Sequence, residues 1–285
     1  DDVYRSQNYQ QTIWDTGGID TIDMSNGIGL SIYEGTVIDL REGALSYGTS
    51  DHSTVAQFGI AFGAVVENAI GTTNADTIFG NASNNILDGG ENNGAYSDRL
   101  VGGAGDDTYI VDAGTNGQLD RVEENAGEGF DTVLTDAAAY IADDNVEAVT
   151  YTGTGNTDLS IGSGNLVGGT GHDILSVTGS TALASNLTGG AGRDTALIGR
   201  ARGDFTITSD SSGSDLTAAG GVQISLTGIE GRAFLDNSLF GSLGLGALNP
   251  TLTDSDGDGR GDTQIADIDN DGDGDWLYHG ADNDF

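Results

Sequence analysis

A nine-residue pattern, G-G-x-G-x-D-x-U-x with U a large apolar residue, recurs along this chain of 285 residues. Residues 102–110 and 168–176 follow the pattern closely, and residues 189–197 depart from it only in the small Ala196 at the apolar position. Weaker copies stand at 71–79, 80–88, 89–101 and 153–161. Short tandem repeats of this kind are typical of a fold built from stacked, similar units, each of which contacts only its neighbours.

Each repeat predicts one turn and one short strand. The first six residues form the turn, because glycine tolerates the positive φ angles that tight turns need. The last three form a strand whose middle apolar residue faces inward. Stacked units then bury a ladder of Ile, Leu and Val between two parallel sheets. A glycine-rich linker, the alternative, gives no reason for an aliphatic residue two positions after each Asp. The sequence therefore predicts an all-β fold: a right-handed parallel β-roll or β-helix.

The sixth position of the repeat places a column of carboxylates along the turns. The chain has 45 acidic and 9 basic side chains and a formal net charge of -36, so such a column needs cations between successive turns. Carboxylate and carbonyl oxygens form the shell that Ca²⁺ prefers, and we predict several bound Ca²⁺ ions. The predicted ligands in the repeats are Asp76, Asp98, Asp107, Asp158, Asp173 and Asp194, with Gly102, Gly103, Gly105, Gly168, Gly169, Gly171, Gly189, Gly190 and Gly192 of the three close copies.

A second acidic pattern, D-x-D-x-D-G-x-x-D, occurs twice in the last part of the chain. Its alternating Asp residues present oxygens to one centre and its Gly allows a sharp bend, as in an EF-hand loop. Flanking amphipathic helices and the twelfth-position Glu are missing, and the tandem spacing resembles the calcium loops of thrombospondin type 3 repeats. An acidic disordered tail is the alternative. The predicted Ca²⁺ ligands here are Asp254, Asp256, Asp258, Asp262, Asp267, Asp269, Asp271 and Asp275.

The sequence lacks the residues that several classes of function require. It contains no Cys, which excludes disulfides, zinc thiolate sites and Cys nucleophiles. The three His residues, His52, His172 and His279, form no H-E-x-x-H zinc motif. No apolar run reaches the ~18 residues of a membrane span, and a surface this acidic repels nucleic acid and anionic membranes. We therefore expect no catalytic activity, no nucleic-acid partner and no membrane insertion.

Three stretches near the start of the chain resemble the C-terminal domain of serralysin-type (M10) secreted metalloproteases. They are TIWDTGGIDTIDMS at 12–25, IDLREG at 38–43 and IAFGAVVENAIG at 60–71. Residues 106–155 resemble longer rungs of RTX calcium-binding repeat proteins, and residues 203–240 resemble the β-hairpin region that closes many RTX rolls. The resemblance implies a β-roll fold, calcium binding, export by a type I secretion channel and folding outside the cell when the chain meets calcium.

The repeats and the resemblance together predict four segments. These are a serralysin-like N-terminal cap of the roll (1–70), an RTX β-roll with inserted longer rungs (71–202), a β-hairpin cap (203–249) and the D-x-D-x-D-G-x-x-D calcium loops (250–285). We expect the protein to be secreted, either extracellular or at the cell surface.

Three hypotheses for the function remain open. In the first, the chain is non-catalytic and has a structural or surface-assembly role, with the type I secretion machinery and calcium-linked copies of itself as partners. In the second, it is the secretion and folding module of a secreted metalloprotease whose catalytic domain lies outside these residues. In the third, it is an adhesin or matrix-binding module, although no aromatic platform for a carbohydrate stands out. An H-E-x-x-H motif encoded upstream of Asp1 would favour the second hypothesis.

Overall fold

The structure is a computed structural model that describes residues 1–5, 11–15, 17–25, 35–50, 53–91, 97–112, 117–179, 184–211 and 213–234. The chain divides into two compact units, Asp1–Thr154 and Gly155–Phe285. The calcium loops predicted at 250–285 lie outside the described residues.

The described residues form short strands throughout. Those of the first unit are β1 (Val3–Arg5), β2 (Gln11–Ile13), β3 (Thr21–Asp23), β4 (Thr36–Asp39), β5 (Leu45–Ser50), β6 (Ser53–Ile60), β7 (Asn68–Ile70), β8 (Thr77–Phe79), β9 (Ile86–Asp88), β10 (Arg99–Val101), β11 (Thr108–Val111), β12 (Arg121–Glu123), β13 (Thr132–Thr135), β14 (Ala139–Ile141) and β15 (Ala148–Tyr151). Those of the second unit are β16 (Asp158–Ile161), β17 (Asn165–Val167), β18 (Ile174–Val177), β19 (Ala184–Thr188), β20 (Thr195–Ile198), β21 (Phe205–Asp210), β22 (Gly213–Ala218), β23 (Val222–Thr227) and β24 (Gly231–Phe234), with a 3₁₀ turn at Arg202–Asp204.

The strands of the first unit other than β14 belong to two sheets. One has the order β1-β3-β7-β9-β11-β13-β15, and every neighbouring pair is parallel. The other has the order β12-β10-β8-β4-β5-β6-β2 and is parallel except at the pairs β4-β5 and β5-β6. From β7 to β13 successive strands alternate between the sheets, so that consecutive turns lie at opposite edges of the roll. We call the edge with the β8–β9, β10–β11 and β12–β13 turns the first edge, and the other the second edge.

Inward-facing residues of the strands build the core, as the two-residue period of a strand requires. The register of the first sheet aligns Ile22, Ala69, Leu87, Tyr109, Val133 and Val149. That of the second sheet aligns Ile38, Ile78, Leu100 and Val122. All ten side chains are almost completely buried. In β3, β7, β8, β9, β10 and β12 only the middle residue is buried, and the residue two positions before it lies at the end of a turn.

The second unit repeats this plan. One sheet runs β17-β19-β23-β22-β21, in which the first two pairs are parallel and the last two antiparallel. The other runs β16-β18-β20-β24 and is parallel throughout. Its core includes the aligned leucines Leu159 and Leu175 in one sheet and Leu166 and Leu187 in the other.

These features confirm the predicted all-β class and the parallel β-roll. The antiparallel strands β21, β22 and β23 fall in the region for which a hairpin was predicted. Among the described residues, no helix combines the length and apolar character needed to cross a membrane.

Candidate metal centres

The carboxylates at the turns form hydrogen bonds from one rung to the next. At the first edge, the backbone N–H of Asn85 donates to Oδ1 of Asp107 (2.7 Å), the N–H of Asp107 donates to Oδ1 of Asp131 (2.9 Å), and the N–H of Asp131 donates to Oε2 of Glu147 (2.8 Å). Each carboxylate thereby ties its own turn to the backbone of the preceding one. We call this arrangement the amide–carboxylate ladder.

The second edge carries the same ladder. Thr36 N–H donates to Oδ1 of Asp76, Asp76 N–H donates to Oδ1 of Asp98 (2.6 Å), and Asp98 N–H donates to Oδ1 of Asp120 (2.8 Å). All three aspartates are buried. The turns are therefore joined by side chains as well as by strand pairing, and each ladder step is charge-assisted when the acid is ionised.

The second unit has a ladder of its own. It runs from Thr157 N–H to Oδ1 of Asp173 (3.0 Å), from Asp173 N–H to Oδ1 of Asp194 (2.9 Å) and from Asp194 N–H to Oε2 of Glu230 (2.8 Å). Of the six aspartates predicted in the repeats, five thus occupy equivalent buried positions.

The sixth predicted aspartate, Asp158, lies elsewhere. It is exposed and is the first residue of β16, and Thr157 takes the ladder position instead. The inward-facing Leu159 pairs with Leu175 and sets the register, so that Asp158 aligns with Ile174. A count from the glycines of this weak repeat therefore places Asp158 one residue beyond the ladder position.

In six turns the first glycine makes room for the side chain of the sixth-position residue, which is an Asp in five turns and Asn85 in the other. A Cβ atom added there would come within 3.0 Å of the side-chain oxygen of the sixth-position residue, closer than real Cβ contacts allow. This holds at Gly71, Gly80, Gly89, Gly102, Gly168 and Gly189. These six glycines do not have left-handed φ angles, so the G…D spacing reflects packing of the acid against the turn.

The later glycines of the motif serve the shape of the turn. Positive φ angles of 100° to 140° occur at Gly103, Gly105, Gly190 and Gly192, where a side chain would be strained. In the turn that starts at Gly168, Gly169 donates its N–H to Oδ2 of Asp173 (2.6 Å), and Gly171 packs against the carbonyl of Gly155. The motif residues of the close copies therefore lie together around their ladder acids.

Several ladder acids were missed in the sequence. They are Asp20, Glu67, Asp120, Asp131, Glu147 and Glu230. Their common signal is an acid two residues before the strand's middle residue, as in Asp120 before Val122, with or without the glycines. Asp120 has no glycine pattern of its own in front of it.

Burial makes these acids hard to ionise in the absence of a cation. It raises the pKa of Asp76 to about 6 and the pKa of Asp107 to about 7. It also raises the pKa of Glu124, the first residue after β12, to about 8, although the hydrogen bond from Tyr109 acts in the opposite direction. Burial raises the pKa of Asp120, Asp131 and Asp194 as well. Buried negative charge of this kind calls for a compensating positive ion.

Two groups of carboxylates in the described part of the chain have ligand atoms close enough to share one ion. The first is Asp2, Asp15 and Asp20, and the second is Asp107, Glu124 and Asp131; within each group the atoms lie within 4.8 Å of one another. The hydroxyl of Tyr4 donates to Oδ2 of Asp15 (2.6 Å), and that of Tyr109 donates to Oε1 of Glu124.

Unpartnered oxygens identify where an ion fits. Oδ2 of Asp20, of Asp107 and of Asp194 is buried and has no hydrogen-bond partner among the described residues. Such atoms are costly unless something else satisfies them. The ligand atoms that these groups offer are all oxygens. Oxygen ligands suit Ca²⁺, whereas softer metals prefer other ligand atoms. The residues present therefore fit calcium.

His172 has a structural contact that the sequence did not predict. Its Nδ1 accepts the backbone N–H of Arg193 (2.8 Å), one turn further on, and its own N–H donates to Oδ1 of Asn156 (2.8 Å). The fifth position of the turn, variable in sequence, thus also links neighbouring turns at the surface.

Alanine at Asp173 should cost more stability than alanine at His172. Asp173→Ala leaves the N–H groups of Thr157 and Gly169 without their carboxylate acceptor, a loss of about 3 kcal/mol for two charge-assisted bonds. His172→Ala removes one exposed acceptor and should cost about 1 kcal/mol or less. Urea unfolding of both variants at saturating calcium measures the difference, and a calcium titration should reveal weaker binding only for Asp173→Ala. Equal losses would contradict the ladder.

Stacked parallel rungs define the class of this protein as a β-roll, and the carboxylate groups at its turns offer oxygen ligands that fit Ca²⁺. Within that class, residues 4–137 match the family model described as Peptidase M10 serralysin C terminal. The resemblance inferred from 12–25, 38–43 and 60–71 is thus confirmed, and this part of the chain is similar to the RTX-type calcium-binding domain of those peptidases. No curated protein matches the chain.

Proposed function

We propose that this chain is a secreted, non-catalytic module whose β-roll folds when calcium binds at its turns. The observation that supports this most directly is the set of ladder acids that are buried in the fold and yet retain unpartnered oxygens, as at Asp20, Asp107 and Asp194. A chain with a net charge of -36 gains little from folding until cations offset that charge.

Calcium supplies the missing stabilisation by mass action. Each ion that binds only the folded state adds about 2.7 kcal/mol when free calcium is a hundredfold above its Kd. Cytosolic calcium is low and extracellular calcium is high, so the chain stays unfolded during export by a type I channel and folds outside the cell. The residues that carry this role are the ladder acids and the turn glycines that accommodate them.

Two biological settings suit such a module. In one, it is a structural or surface-assembly component, and copies associate through calcium because surfaces this acidic approach each other only with bridging cations. In the other, it is the C-terminal module of a secreted metallopeptidase, which the family match over 4–137 favours. Light scattering across a calcium titration separates them, since a monomer at millimolar calcium would exclude calcium-linked assembly.

The calcium dependence itself is tested on the whole chain by circular dichroism. In a calcium-free buffer we expect a largely unfolded spectrum, and addition of millimolar calcium should produce the β spectrum. Magnesium and sodium chloride at matched ionic strength serve as controls for charge screening and should give much less structure. An unchanged β spectrum and melting temperature in excess EGTA would overturn the proposal.

A further inference from the structure

We propose that Asp107, Glu124 and Asp131 form one calcium site whose third carboxylate, from Glu124, is held in place by the buried hydroxyl of Tyr109. The inference rests on the proposed calcium-binding function and names one particular ligand set within it. It differs from the repeat motif, which supplies one acid for each turn, because here a single turn supplies two.

The spacing of the three carboxylates suits one ion. Their ligand atoms lie within 4.8 Å of one another. Two oxygens bound to the same Ca²⁺ at about 2.3–2.6 Å are at most about 4.6–5.2 Å apart. Asp107 belongs to the turn before β11, and Glu124 and Asp131 belong to the turn before β13. The ion would therefore join two neighbouring turns of the first edge.

Two members of this group have a buried oxygen that lacks a hydrogen-bond partner. Asp107 is only 1% exposed. Its Oδ1 accepts the N–H of Asn85, whereas its Oδ2 is buried without a hydrogen-bond partner among the described residues. Oε2 of Glu124 is likewise buried without a hydrogen-bond partner among the described residues. Two buried carboxylate oxygens without hydrogen-bond donors, in a group of three carboxylates, are a costly arrangement that a divalent cation would relieve.

The sequence explains how Glu124 reaches this position. It is the first residue after β12, where the neighbouring turn has Gly102 as the first residue after β10. A Cβ at Gly102 would collide with both Oδ2 of Asp107 and the hydroxyl of Tyr109. Gly102 therefore leaves space for the hydroxyl of Tyr109. That hydroxyl donates to Glu124, which belongs to the next turn.

Tyr109 is the reason that Glu124 is held in one orientation. It stands at the inward position of β11 and is completely buried, where neighbouring rungs have aliphatic residues. A buried tyrosine hydroxyl needs an acceptor, and Oε1 of Glu124 provides it. With Oε1 fixed in this way, Oε2 remains available to an ion. In the other carboxylate group, the hydroxyl of Tyr4 likewise donates a hydrogen bond to Asp15.

Glu124→Gln tests the site, with Glu128→Gln as the matched control. Glu128 lies in the same turn and carries the same charge, but its carboxylate bonds to Asn125 and takes no part in the group. Isothermal titration of the full chain with calcium should reveal one site weakened roughly tenfold or more in Glu124→Gln, because even partners of metal ligands cost about 10–100-fold when removed. Glu128→Gln should bind like the wild type.

Terbium luminescence provides a second measurement that reports on position. Tb³⁺ replaces Ca²⁺ at oxygen sites and emits when a neighbouring tyrosine is excited, so the ion at this site should be sensitised by Tyr109. Tyr109→Phe and Glu124→Gln should each remove the same component of the emission, while circular dichroism at saturating calcium confirms that both variants fold. Unchanged calcium affinity and emission in Glu124→Gln would overturn this site and leave the general function intact. A wild-type chain that binds no calcium would overturn both.

Discussion

Replacement of Gly189 by alanine is expected to destabilise the second unit by about 3 kcal/mol, at the upper end of the usual cost of overpacking. Gly189 is buried at the start of its turn, and its N–H donates to the carbonyl of Thr227 (2.9 Å). An added Cβ would lie inside 3.0 Å of the carbonyl oxygen of Gly228 and of Oδ2 of Asp194. One is backbone of the adjacent rung and the other is a ladder carboxylate, so neither can move without breaking the stack.

Gly162→Ala is the matched control for this prediction. Gly162 lies in the same unit, is exposed, and has no atom within 4 Å of an added Cβ and no left-handed φ angle. Alanine there should be neutral, or stabilising by about 0.4–1 kcal/mol because the unfolded chain loses freedom. Urea unfolding at saturating calcium measures both variants. A Gly189→Ala chain as stable as Gly162→Ala would mean that the first glycine of the repeat has no packing role.

The repeat predicted the rungs because each one combines a turn, an acid and an apolar residue in a fixed order. Leu100, Leu175 and Val133 lie in the core as that order requires. The position of the acids was predicted less well, since glycines were used to count the register. In the structure the inward residue sets the register, which is why Asp158 lies outside the ladder and Asp120 within it.

Contacts between turns that are distant in sequence could not be predicted from the motif. Glu124 and Asp107 are brought together only when β12 and β11 occupy successive positions in the roll, and the role of the Tyr109 hydroxyl depends on that stacking. A tyrosine at a core position of the repeat and a glutamate directly after a strand are each unremarkable in sequence. Only the proximity of Tyr109, Glu124 and Asp107 in three dimensions, with an unpartnered oxygen on each of the two acids, indicates a site.

Without calcium, the stability of the fold should fall as the pH rises from about 4 to about 8. Burial raises the folded-state pKa of Asp76 and Asp112 to about 6, of Asp107 to about 7 and of Glu124 to about 8. In this window the folded chain binds more protons than the unfolded chain, so the free energy of unfolding decreases with pH. For Asp76, which is 2% exposed, the raised pKa corresponds to a loss on the order of 3 kcal/mol.

Calcium should reverse this dependence, because it binds the ionised carboxylates and competes with protons. Circular dichroism at pH 5 and pH 7.5, in buffer freed of calcium on a chelating resin, measures the folded fraction without calcium. Urea unfolding at both pH values after calcium is added measures the stability with calcium, at the same ionic strength. Glu124→Gln is the informative variant, since Gln keeps an acceptor for Tyr109 and cannot titrate; it should flatten the calcium-free dependence between about pH 6 and pH 8. If the calcium-free chain instead gains stability between pH 5 and pH 7.5, its buried acids are not the source of its need for cations.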